Sequence, residues 1–158
     1  MASKYTARPL GQNVPHNPKG DAPMPITTGH QALIAQARQR IRTLSLDEAR
    51  ALYDDPNVVF VDIRDPRELE REGMVPHAVH APRGMLEFWV DPSSPYFKPV
   101  FGEDKTFVLY CQSAWRSSLA TATLVDMGMT NVAHVEGGFR AWKDAGHPVG
   151  EKPAHKHG

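Results

Sequence analysis

The apolar positions of this chain fall into two kinds of run, and their order predicts the architecture. Val58-Val59-Phe60-Val61 and Thr106-Phe107-Val108-Leu109-Tyr110 are continuous β-prone stretches, as expected for strands buried on both faces. Val132-Ala133-His134-Val135 is a third strand, and Val79-His80 closes a loop as a short fourth. Between them the spacing turns helical. Ser45-Leu46-Asp47-Glu48 is a capping box that opens a helix to about Tyr53. Asp65-Pro66 starts another, ended by Gly73. Residues 83–89 predict a brief helix, and 91–104, with three prolines, a loop. Ser117–Met127 carries an apolar side ending at Gly128, and Gly137-Gly138 turns the chain into a last helix over Phe139–Ala145. Strands alternating with helices in this way imply an α/β domain with a parallel sheet covered on both faces, and in such folds sites gather at the carboxyl ends of the strands.

The ends of the chain read differently. Residues 1–28 hold five prolines and no apolar periodicity, which predicts a mobile tail. Residues 29–42 carry Leu33, Ile34, Ala37 and Ile41 at helical spacing, an amphipathic extension able to pack on the domain or on a second copy of the chain. The domain itself is expected over 43–149, and 150–158 is polar and expected to fray.

Composition narrows the function classes. Of 158 residues, 41% are hydrophobic and 23% charged, with 18 basic and 18 acidic side chains. That balance leaves no electrostatic footprint for nucleic acid or an anionic membrane. No apolar run approaches the ~20 residues of a membrane span, and the N-terminal segment lacks a secretory core, so a cytoplasmic location is expected. The single cysteine, Cys111, excludes an internal disulfide and a multi-cysteine zinc site. His77-x-x-His80 and His134-x-Glu136 are loose metal-like spacings without a third ligand, so neither a metal nor a cofactor is expected.

Cys111 follows a strand, and Gln112-Ser113-Ala114-Trp115-Arg116 leads into a helix. A lone cysteine there is consistent with packing. The polar loop ahead of a helix favours chemistry instead, because the free N–H groups and the dipole of a helix start stabilise a thiolate. The loop amides can form an anion nest, and Arg116 supplies a forked cation. Asp62 and Arg64, at another strand end, are read as structural supports. Trp115 is either a wall over the site or a packing residue.

Four motifs in order resemble the rhodanese homology domain: Val59 to Arg64, Gly73 to Ala78, Tyr110 to Ser117, and Val135 to Trp142. The resemblance implies a three-layer α/β/α fold with a five-stranded, mostly parallel sheet. It implies a sulfurtransferase in which Cys111 is the nucleophile and persulfide carrier. Gln112, Ser113, Ala114, Trp115 and Arg116 would bind the donor, with Asp62, Arg64 and Ser117 in support. The implied partners are a small anionic sulfur donor such as thiosulfate and a thiophilic acceptor, either cyanide or a thiol or dithiol. The amphipathic extension is a candidate homodimer contact. Four residues separate Cys111 from Arg116, as in sulfurtransferases; the related phosphatases carry one more. The alternatives are a phosphatase or arsenate reductase on the same scaffold, or a non-catalytic binding module. The chain departs from the family at Ala114 and at His77, both of which stand where glycine is usual.

Overall fold

A computed structural model describes residues 25–154. Residues 1–24 of the expected N-terminal tail and 155–158 of the expected C-terminal tail lie outside the described residues. The chain runs α1 (His30–Arg38), β1 (Arg42–Leu44), α2 (Leu46–Leu52), β2 (Val58–Asp62), α3 (Pro66–Glu72), β3 (Val79–His80), α4 (Leu86–Val90), β4 (Thr106–Tyr110), α5 (Trp115–Asp126), β5 (Val132–Val135) and α6 (Gly138–Asp144). Short 3-10 turns at Arg83–Met85 and Pro99–Gly102 flank α4 and the proline-containing loop. No helix among the described residues is long and apolar enough to cross a membrane.

The five strands form one sheet in the order β1-β5-β4-β2-β3, and every pairing is parallel. The connection from β2 leads outward to β3, and that from β4 leads the opposite way to β5. The carboxyl ends of β2 and β4 therefore lie where the connections diverge, the place where open α/β sheets leave a crevice. Asp62 and Tyr110 are register partners at that point, and Cys111 is the next residue.

The pleat sorts the core into two layers. Phe107 and Leu109 of β4 face one side with Val61, Leu86, Ala120 and Leu124, and Cys111 lies in this layer. Val108 and Tyr110 face the other side with Phe60, Val135, Phe139 and Trp142. Burying both faces is why these strands read as unbroken apolar runs. Trp142 anchors α6 to the sheet: its ring lies 5.7 Å from both Phe60 and Tyr53, and its indole N–H donates to the Pro148 carbonyl at 2.7 Å.

Two expectations need correction. The first helix stops at Arg38, because residues 42–44, placed in part with the helical extension, form the edge strand β1 against β5. That helix packs on α5 of its own chain, held by ion pairs from Arg38 to Glu136 and Arg40 to Asp126. At the other end, Gly150, expected to fray, exchanges backbone hydrogen bonds with Met74 at 2.9 and 2.8 Å, and Lys152 pairs with Glu70.

Trp142→Ala is expected to cost about 3–5 kcal/mol of stability by the cavity it leaves. Urea unfolding measures this, and a loss below ~1 kcal/mol would contradict the anchoring role.

Candidate active site

The site is built at the end of β4. Cys111 leaves the strand almost completely buried, and the chain must then reverse into α5. It does so at Ala114, whose φ of 76° and ψ of 0° are left-handed. A residue with a Cβ pays about 1–2 kcal/mol for that conformation. His77, with φ 65°, carries the same burden in the turn before β3. These are the two positions where the resemblance would place glycine. The helix begins at Trp115, two residues earlier than its apolar pattern indicates, so Arg116 belongs to its first turn.

Loop orientation is set by α6. The Phe139 N–H donates to the Cys111 carbonyl at 2.8 Å, and the Arg140 N–H to the Gln112 carbonyl at 3.2 Å. In a trans peptide the C=O and the following N–H point in opposite directions. The Gln112 and Ser113 N–H groups are therefore turned away from α6. Among the described residues no backbone carbonyl takes the N–H groups of Gln112, Ser113, Ala114, Trp115 or Arg116. Donors at a helix start lack intrahelical partners, so these N–H groups are left free to take an anion. The Ser117 N–H reaches the Cys111 Sγ at 3.3 Å. The close approach of α6 requires Gly138: its φ is 63°, and a Cβ there would lie 2.7 Å from the Cys111 and Gln112 carbonyl oxygens.

Behind the loop stands a polar chain. The Ser117 hydroxyl and His134 Nδ1 share a hydrogen bond of 3.0 Å, and His134 Nε2 shares one of 2.9 Å with the Thr43 hydroxyl. His134 is fully buried. Burial, then the Arg38 charge, push its pKa down to about 4, so the ring is neutral at pH 7. One nitrogen then donates and the other accepts. Glu136, which shares its metal-like spacing, pairs instead with Arg38.

Arg64 is buried beside the loop. Its Nε donates to Asp62 at 3.0 Å, its Nη2 to Asp62 and to the Gly73 carbonyl at 2.7 Å each, and its Nη1 to Gln112 Oε1 at 3.1 Å. Arg116 is placed differently from the free cation expected of the sequence. Both terminal nitrogens donate to Glu68, each at 2.8 Å, and the guanidinium holds the Glu68 carboxyl below the usual range. Trp115 is 54% exposed, with the His30 ring of α1 at 4.9 Å. Arg83 is exposed as well, and His80 is occupied by the Arg64 carbonyl at 2.7 Å.

The structure thus gathers Cys111, Gln112, Arg64, Asp62, Ser117 and Arg116 around one loop, and leaves Ser113 exposed on it. Sequence reasoning missed Glu68, Gly138, Thr43 and the role of His134 as a link. The capping box Asp65-x-x-Glu68 was a signal for one of them, since it fixes Glu68 in the first turn of α3.

Two outcomes test this geometry. Gly138→Ala is expected to destabilise the fold by about 2–4 kcal/mol, from left-handed strain plus the clash with the loop. Urea unfolding checks it; a neutral change contradicts the close approach. For His134, the unfolded chain takes up a proton near pH 6.5 and the folded chain only near 4. Stability is then full above about 6.5 and falls as pH drops toward 4, by about 3 kcal/mol across the window. His134→Gln should flatten that slope in unfolding measured against pH; equal slopes contradict a neutral buried ring.

The chain is similar to several known proteins. A sulfurtransferase of Allochromatium vinosum is 33% identical over 101 residues, 64% of this chain and 86% of that protein. The tRNA uridine(34) hydroxylase of Pectobacterium atrosepticum is 34% identical over 96 residues, but the chain spans only 26% of its length. Among solved structures, a Rhodopseudomonas palustris protein of unknown function, described as a possible tyrosine phosphatase, superposes with TM-score 0.79 at 53% identity, over 82% of this chain and 99% of that one. The polysulfide-sulfur transferase homodimer of Wolinella succinogenes gives 0.59 at 28% identity, over 80% and 90%. A family model for the rhodanese-like domain matches residues 45–145, from the cap of α2 to the cap of α6. That stretch leaves out only α1 and β1 among the elements, and it makes the chain a member of the rhodanese-like family, with sulfurtransferases among its homologues.

Proposed function

We propose that the chain is a sulfurtransferase that carries sulfane sulfur on Cys111. The observation that supports this best is the Ser117 N–H on Sγ at 3.3 Å, within a loop that keeps only four residues between Cys111 and Arg116. The amides stabilise negative charge on sulfur, first as the thiolate and then as the persulfide. With thiosulfate, the thiolate attacks the outer sulfur, a Cys111–S bond forms, and sulfite leaves with the electron pair of the broken S–S bond. An acceptor nucleophile, cyanide or a thiol, then takes the outer sulfur, and the Cys111 thiolate leaves. One difficult transfer becomes two easier ones. The relatives named for sulfur transfer in Allochromatium and Wolinella support the same reading.

A phosphatase is the second reading, favoured by the description of the Rhodopseudomonas structure. The short loop opposes it, because the phosphatase loop carries one residue more. The hydroxylases belong to a longer architecture, of which this chain spans about a quarter. A dimer through α1 would have to use the helix's outer side, where Leu33 is exposed, since α5 of the same chain covers the other.

The discriminating assay runs cyanide with a sulfane donor, and an aryl phosphate in parallel. Thiocyanate formation that disappears in Cys111→Ser is expected, with no hydrolysis above background. Aryl phosphate hydrolysis that depends on Cys111, without thiocyanate, would favour the phosphatase.

A further inference from the structure

The loop is flanked by two arginines, and each is already matched by carboxylates of its own chain. Arg116 gives both terminal nitrogens to Glu68 at 2.8 Å. Arg64 is bound to Asp62 at 2.7 Å, and Glu72 lies 3.7 Å from its Nη1. Two guanidinium charges thus meet two close carboxylates and a third at the margin, so these side chains sum to no positive charge. Two further arginines, on α3 and α6, are solvated. Arg67 pairs with Asp65, and Arg140 is exposed, where water and salt screen it.

Glu68 is fixed rather than incidental. Its Oε2 also takes the Asp65 N–H at 2.9 Å, and its side chain is only 18% exposed. Swinging it away would uncap α3 as well as release Arg116. What remains for an anion is the set of loop N–H groups and the start of the twelve-residue helix α5, worth roughly half an elementary charge. That is suited to one negative charge and poorly suited to two.

We infer that Glu68 is a specificity-determining residue that restricts the site to sulfane donors carrying a single negative charge, thiosulfonates and organic persulfides, over dianions such as thiosulfate. The inference rests on the sulfur-transfer reading of Cys111. The Glu68 carboxylate takes both terminal nitrogens of Arg116 and cancels its attraction, and each further charge on a donor meets that cancellation again. With a thiosulfonate the Cys111 thiolate attacks the terminal sulfur. The bond from that sulfur to the sulfonyl group breaks, and its electron pair leaves with the sulfinate. The persulfide anion remains on Cys111, with no oxidant and no proton required.

Methanethiosulfonate and thiosulfate form a matched pair of donors, differing by a methyl group in place of one oxyanion and so by one charge. In Glu68→Gln, which keeps an amide oxygen for Arg116, kcat/KM is expected to rise about threefold for methanethiosulfonate and about tenfold for thiosulfate at low ionic strength. Glu68→Ala should shift the two donors in the same order, and circular dichroism confirms that both variants are folded. Sulfur loading from both donors with an equal response, or a loss for both, would overturn the inference and leave Glu68 a positioning residue for Arg116. Failure of both donors to place sulfur on Cys111, in wild type and variants alike, would overturn the sulfur-transfer reading itself.

Discussion

A guanidinium with no contact to water organises the carboxyl-end face of the sheet. Arg64 cannot be buried alone, since an unmatched charge in a protein interior costs several kcal/mol. Its donors are distributed over three elements: Asp62 at the end of β2, the Gly73 carbonyl that closes α3, and the Gln112 side chain in the loop after β4. Its flat face lies 4.2 Å from the Phe139 ring on α6. One residue thus holds in register the strand end, the helix, the loop and the last helix between which Cys111 sits. Tyr110 adds to the same corner: its phenol accepts the Val75 N–H at 3.1 Å, and burial pushes its ionisation far above the ordinary range.

The reactive loop is shaped by what surrounds it. Two N–H groups from the start of α6 take the carbonyls of Cys111 and Gln112, and the planarity of the peptide turns the loop amides the other way. From the opposite side, the neutral His134 connects the Ser117 hydroxyl to Thr43 on the edge strand β1. The Ser117 amide is the one that meets the Cys111 sulfur. The charge close to that sulfur is backbone partial charge, while the full charges of Arg64 and Arg116 are absorbed by carboxylates.

Much of this was legible in the chain. The β2 and β4 runs are unbroken because both faces are buried, and Cys111 was placed correctly at a strand end ahead of a helix. Less legible was whatever depends on a distant partner. Arg42-Thr43-Leu44 is too short to signal a strand and becomes one only against β5. The start of α5 carried no sign, because its cap is Ala114, whose side chain accepts nothing. Glu68 was visible as a capping carboxylate, but its reach to Arg116, 48 residues on, belongs to tertiary structure. His134 and Glu136 suggested a ligand pair by spacing, and packing sends one to Ser117 and the other to Arg38. At Ala114 and His77 the departures from the family pattern turned out to occupy left-handed backbone, so the chain keeps the glycine geometry without the glycine.

The central claim is that Cys111 holds one sulfur atom and gives it up. Intact-protein mass spectrometry before and after each half-reaction tests it most directly. Incubation with a sulfane donor should add a single sulfur atom, mapped to the peptide containing Cys111, and cyanide should then remove it with an equal yield of thiocyanate. A chain that gains no sulfur from any donor, or whose added sulfur cyanide does not remove, would contradict the account.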